Sequence, residues 1–103
     1  MKKLVVAFSA RADLEDIARY TERRWGAARK RLYLDALRDR FAQLRTSPGL
    51  GAARDDVRSG YRSIASGSHV VFYRETADSI EILRVLHQRM DVHRHVPGEN
   101  DES

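Results

Sequence analysis

The sequence predicts an α+β fold of two layers, with a pair of helices on one face of a sheet. Three observations carry that expectation: a short apolar run at the N-terminus, two successive stretches with apolar residues at helical spacing, and then three β-rich stretches parted by turn sequences. The first run, Leu4–Phe8, is far shorter than the roughly 20 residues of a membrane span. It meets charge at Arg11, Asp13 and Glu15, and so reads as a cytoplasmic N-terminal strand and not as a signal peptide. From Ser9 the period changes. Leu14, Ile17, Ala18, Thr21 and Trp25 share one face, while Asp13, Glu15, Asp16, Arg19, Glu22 and Arg23 occupy mostly the other. Ser9 is a suitable N-cap, Arg23 and Arg24 suit the negative end of the helix dipole, and Gly26 is a natural stop. A second helix is expected from about Ala27 to Arg45, burying Leu32 or Tyr33, Ala36, Leu37, Phe41 and Leu44, so that the two form a hairpin.

Thr46-Ser47-Pro48-Gly49-Leu50-Gly51 ends that helix, and Arg54-Asp55-Asp56 reads as a charged loop. Three antiparallel strands follow: Tyr61–Ala65, His69–Arg74 and Ser79–His87, joined by Ser66-Gly67-Ser68 and Glu75-Thr76-Ala77-Asp78. Val70-Val71-Phe72-Tyr73 is continuously apolar, which places its strand centrally. The N-terminal strand is expected to pair beside one of the later ones, with the helix hairpin covering one sheet face. At 103 residues the chain fits one domain over residues 1–96, followed by a frayed acidic tail from Pro97.

Composition narrows the chemistry. With 42% hydrophobic and 33% charged residues the balance is globular, and the absence of cysteine excludes disulfides and thiolate metal sites. Glu99, Asp101 and Glu102 lie in the last five residues, so residues 1–98 carry 19 basic and 12 acidic side chains, a net +7 against +4 for the whole chain. Sixteen of the 19 cations are Arg, which favours bidentate recognition of carboxylates or phosphates. A high-GC genome also enriches Arg, so the bias alone names no partner. His87, His93 and His95 lack a carboxylate set at ligand spacing, and neither a metal nor a cofactor is implied.

Five blocks, in order, carry a family resemblance. They are Ala12-Asp13-Leu14-Glu15-Asp16-Ile17 with Tyr20; Arg24-Trp25-Gly26; Ser47-Pro48-Gly49-Leu50-Gly51; Arg58-Ser59-Gly60-Tyr61-Arg62 with Gly67–Arg74; and Arg84-Val85-Leu86-His87-Gln88-Arg89-Met90-Asp91. Over Ser9–Val96 the chain resembles the ParE toxins of the RelE/ParE superfamily. The resemblance implies a RelE/ParE-like fold (N-terminal strand, α-helical hairpin, three-stranded antiparallel meander) and a small ParD-like antitoxin as partner. It also implies poisoning of DNA gyrase without catalysis by the chain itself, and no sequence-specific nucleic-acid binding. The superfamily also holds RelE-type ribonucleases that cleave messenger RNA on the ribosome, and fold alone does not separate the two activities. A non-toxic module that only titrates an antitoxin is the third reading.

Such a nuclease needs acid–base groups and cations at the scissile phosphate. Arg62, Arg84, His87 and the Asp55-Asp56 loop offer some of these, but the His87-Gln88-Arg89-Met90-Asp91 pattern resembles the gyrase poisons. The gyrase contact is therefore expected among Arg84, His87, Arg89, Met90, Asp91 and Arg94. His87, like His69, could instead be a strand-end histidine held by the backbone. Antitoxin contacts are expected at Tyr20, Trp25, Arg58 and Arg62. The two arginines form either an anion cradle or internal ion pairs to Asp55, Asp56 or Asp91. The two aromatics are either core or the wall of a groove that takes an antitoxin helix.

Overall fold

In the computed structural model, which describes residues 1–96, the elements run β1 (Lys3–Val6), α1 (Phe8–Trp25), α2 (Ala27–Thr46), β2 (Ala52–Ala53), β3 (Tyr61–Ser66), β4 (His69–Glu75), β5 (Ser79–His87) and α3 (Val92–His95). A 3-10 turn, Pro48–Leu50, lies between α2 and β2. The tail expected to fray, from Pro97 onward, lies outside the described residues. The strands form one mixed sheet in the order β1-β5-β4-β3-β2, with β1 parallel to β5 and the other pairs antiparallel. The expected α+β class and element order are observed, with β4 at the centre, and the structure places the N-terminal strand beside β5. The two-residue strand β2 was not anticipated, because Ala52-Ala53 has no strand pattern of its own and is held by pairing with Ser63 and Arg62.

The helices cover one face. Ala10 and Ile17 of α1 and Leu37, Phe41 and Leu44 of α2 pack on Val71, Tyr73, Ile80, Ile82 and Val85. Two details differ from the sequence expectation. The cap of α1 is Ala7, not Ser9, and makes no side-chain cap bond. The helix starts that early because the Ala7 N–H still donates to the Ile82 carbonyl while its own carbonyl accepts from Arg11, so the strand passes directly into the helix. In α2 the buried stripe runs through Tyr33, Leu34, Leu37, Phe41 and Leu44, leaving Ala36 and Leu32 exposed. Trp25 is exposed as well.

The other face has its own core, which periodicity did not reveal. Val57, Tyr61, Phe72, Leu86 and Val96 are buried together, flanked by Val70, Leu83 and Val92. The 54–60 loop and α3 supply the cover. Burial on both faces explains why Val70–Tyr73 is continuously apolar: alternate residues serve opposite cores.

A bulge in β5 links these layers. Phe72 pairs with Arg84 while Tyr73 pairs with Ile82, so Leu83 is an extra residue. The alternation resets there: Val85 joins Ile80 and Ile82 beneath the helices, and Leu86 joins Leu83 on the second face. Arg84 sits at the reset and reaches both layers.

Candidate functional site

β1 stops pairing with β5 at Ile82, so the outer edge of β5 beyond that point lacks a strand partner. Asp13 of α1 takes its place. Its Oδ2 accepts the Val85 backbone N–H at 2.9 Å and the Arg84 Nε–H at 2.7 Å, and its Oδ1 accepts from Arg84 Nη2 at 2.9 Å. Arg84 Nη1 donates to the His95 carbonyl of α3 at 2.6 Å. One guanidinium therefore clamps α1, β5 and α3, and the bond to Asp13 holds it more firmly protonated than usual.

Beyond this clamp α1 outruns the sheet. A groove of about 610 Å3 opens between the helix hairpin and the ends of β4 and β5, lined by residues that include Tyr20, Trp25, Tyr33, His69, His87 and Met90. Tyr20 and Trp25 are 58% and 56% exposed, so these aromatics form its wall and are not core. Its floor is a ring cluster. Tyr33 Oη lies 2.6 Å from His69 Nδ1 and accepts the Ser68 backbone N–H at 3.0 Å. His69 packs edge-on against Tyr33 and against His87, each at a centroid distance of 5.5 Å. Burial, and then the neighbouring His87, lowers the His69 pKa, so its imidazole is held neutral below its ordinary range.

The structure divides the predicted contact residues into groups. His87 and Met90 line the groove together with Tyr20 and Trp25. The His87 Nδ1 accepts the Arg89 backbone N–H at 3.2 Å, so the partner of this strand-end histidine is an amide and not a carbonyl. Asp91 caps α3 by accepting the His93 N–H and lies 3.9 Å from Arg94. Arg89 is exposed and makes no ion pair among the described residues. Arg84 is held inside the clamp.

Arg58 and Arg62 are not part of this group. Arg62 pairs with Tyr73, four residues along β4 from His69 and so about 13 Å away at ~3.3 Å per residue, and its Nη1 donates to the Gly51 carbonyl. Neither arginine pairs with Asp55, Asp56 or Asp91. Asp55 accepts the Gly60 N–H, while Asp56 binds Arg54, which keeps its carboxyl below the usual range.

Sequence reasoning missed Asp13 and Tyr33 as site builders. The charge pattern assigns Asp13 to the solvent face, although Ala10, Asp13, Ile17 and Thr21 recur at spacings of three and four and so mark one side of the helix. Among the described residues no group of three or more His, Asp or Glu side chains could hold a metal. No helix there is long and apolar enough to cross a membrane.

A family model described as the ParE toxin of the type II toxin–antitoxin system parDE matches residues 4–92. Toxin ParE1 of Caulobacter vibrioides is 43% identical over 96 residues, covering 93% of this chain and 99% of the relative. Toxin ParE1 of Mycobacterium tuberculosis is 43% identical over 89 residues, covering 85% and 91%. Toxin ParE of Escherichia coli is 32% identical over 93 residues, covering 89% and 90%. A chain from the solved chromosomal ParDE TA system of P. aeruginosa superposes with a TM-score of 0.73 at 21% identity, covering 84% of this chain and 96% of that one, which supports the fold. The match takes in both halves of the groove and the Asp13–Arg84 pair beneath it, and this chain belongs to the ParE toxin family of type II toxin–antitoxin systems.

Proposed function

We propose that the chain is a gyrase-directed toxin of residues 1–96 acting in the cytoplasm, neutralised by a ParD-like antitoxin and performing no catalysis of its own. The observation that carries the non-catalytic reading is how the chain uses its cations. Arg84 and Arg62, the arginines best placed on strands to stabilise a scissile phosphate, are committed to Asp13, His95 and Gly51. The toxin binds gyrase and stabilises the enzyme's covalent complex with cleaved DNA. The turn from His87 to Met90 and the exposed Arg89 and Arg94 provide contact. The antitoxin lays an amphipathic helix in the groove against Tyr20 and Trp25, a mode that uses exposed aromatic walls and the apolar lining that Ile17, Leu86 and Met90 add.

Purified gyrase with and without the chain tests this. Enzyme-dependent linear DNA after detergent and protease is the expected result. Intact, normally supercoiled DNA in the presence of folded protein refutes it. The Tyr33–His69–His87 cluster favours one second reading, since two imidazoles beside a groove are an acid–base pair in kind. Cleavage of ribosome-bound messenger RNA, lost in His87→Ala, would establish that RelE-type activity instead. Lack of growth arrest on expression would leave the non-toxic module. Point variants are required for mapping the contact, because truncation after Leu86 would strip Val92 and Val96 from the second core.

A further inference from the structure

We propose that the tip of the helix hairpin binds the phosphate backbone of duplex DNA. The charge distribution points there. Between Glu22 and Arg31 stand five basic side chains, Arg23, Arg24, Arg29, Lys30 and Arg31, against the single acid Glu22. That ten-residue stretch carries a net +4, more than half of the +7 on residues 1–98.

The local acids do not quench it. Glu22 is spent on Lys30 at 2.7 Å, and Asp16 is spent on Arg19. Arg23, Arg24, Arg29 and Arg31 make no ion pair among the described residues. Of the twelve arginines elsewhere, six are matched to an acid: Arg19 with Asp16, Arg38 with Asp35, Arg54 with Asp56, Arg74 with Glu81, Arg84 with Asp13 and Arg94 with Asp91, whereas none of the four at the tip is. The first turn of α2 holds no acid, so Arg29, Lys30 and Arg31 add positive charge at the positive end of that helix dipole, while Arg23 and Arg24 lie at the negative end of α1.

Geometry favours a duplex over an acidic peptide. The tip is a projecting bend at Gly26, and its one large apolar side chain, Trp25, is already flanked by guanidinium groups, with Arg24 at 4.9 Å and Arg29 at 5.5 Å from the ring centroid. The apolar surface a peptide could bury lies in the adjoining groove, whereas the outer side of the bend is arginine and lysine. A regular row of phosphates needs no apolar surface, and arginine forks match it in bidentate fashion. Sequence is not read, because backbone contacts position a protein without specifying bases. Such binding by the free chain is independent of whether gyrase is the target.

The test is titration of the purified chain with a random-sequence duplex of about 20 base pairs, followed by Trp25 fluorescence, which is unambiguous because the chain has a single Trp. With three to four phosphates engaged, the logarithm of affinity should fall with the logarithm of salt at a slope of about −3, at roughly −0.9 per phosphate. The Arg24→Gln/Arg29→Gln/Arg31→Gln variant should lose at least about tenfold in affinity at low salt and flatten the slope by about 2.7. Arg38→Gln, on the α2 surface and paired with Asp35, should behave as wild type. Circular dichroism confirms that each variant is folded, and the three substituted residues are exposed. Unchanged affinity in the triple variant, or no duplex binding by wild type at low salt, overturns the proposal. So does poly-glutamate of equal charge binding as tightly and losing affinity in the same variant, which would assign the tip to an acidic protein partner.

Discussion

Asp13→Ala should be among the most damaging single substitutions at a site classed by sequence pattern as solvent-facing. The carboxylate accepts three hydrogen bonds, two from Arg84 and one from the Val85 N–H, and its side chain is 12% exposed against 21% for Arg84. A charge-assisted bond contributes about 1.5 to 3 kcal/mol net, and an orphaned buried donor costs about 1 to 3 kcal/mol. Breaking a fully buried ion pair costs about 3 to 5 kcal/mol, and partial water access to Arg84 lowers that figure. The expected loss is therefore about 3 kcal/mol, or a fall in Tm of roughly 12 to 24 °C at about 4 to 8 °C per kcal/mol for a domain of this size. Arg84→Ala should cost about 2 kcal/mol, less than Asp13→Ala because Asp13 keeps the Val85 amide.

Urea unfolding of wild type, both single variants and the double variant measures the coupling directly. A coupling energy of about 1.5 kcal/mol or more is expected, and one below about 0.5 kcal/mol would refute the clamp. The cycle also bears on function. If Arg84 acts only by holding α1, β5 and α3 together, Asp13→Ala and Arg84→Ala should reduce toxicity in parallel with stability. Loss of toxicity in Arg84→Ala alone, at matched stability, would make Arg84 a contact residue after all.

Three further expectations are open to simple tests. Gly67 has φ +58° and a Cβ there would sit 2.7 Å from the Tyr33 ring, so Gly67→Ala should cost about 2 to 4 kcal/mol in chemical denaturation. Gly60→Ala, with φ +88° and nothing within 4 Å, should cost only about 1 to 2 kcal/mol. Leu86→Ala, 2% exposed in the second core, should cost about 2 to 4 kcal/mol, and a loss under 1 kcal/mol would show that the loop and α3 do not cover that face. Stability should also decline on acidification through His69. Its folded pKa lies below the unfolded value of 6.5, because burial and His87 outweigh the opposing pull of Asp13. Above about pH 6.5 the imidazole is neutral in both states and the stability is fully present, while below it the unfolded chain takes up the proton first and stability falls until the folded pKa is passed. His69→Phe should remove this part of the pH dependence, as read by Tm between pH 7.5 and 5.

By itself the sequence determined the class, the element order, the helix hairpin and the bounds of β4 and β5 to within a residue. Those features follow from local periodicity and turn chemistry, which act between near neighbours in the chain. The blocks from Ala12 to Asp91 also carried the family. What tertiary structure alone decided is which residues meet. Trp25 and Tyr20 are groove walls because α1 runs past the end of the sheet, a consequence of where β1 pairs with β5. Asp13 is a strand substitute because β1 ends opposite Ile82 and leaves the outer edge of β5 at Val85 without a strand partner, a gap that Asp13 fills over a separation of 72 residues. Arg58 and Arg62 fall away from the groove because β3 runs antiparallel to β4, which carries the start of one strand to the far end of the other. Register and strand length are set by packing summed over the whole sheet, and no window of neighbouring residues contains that sum.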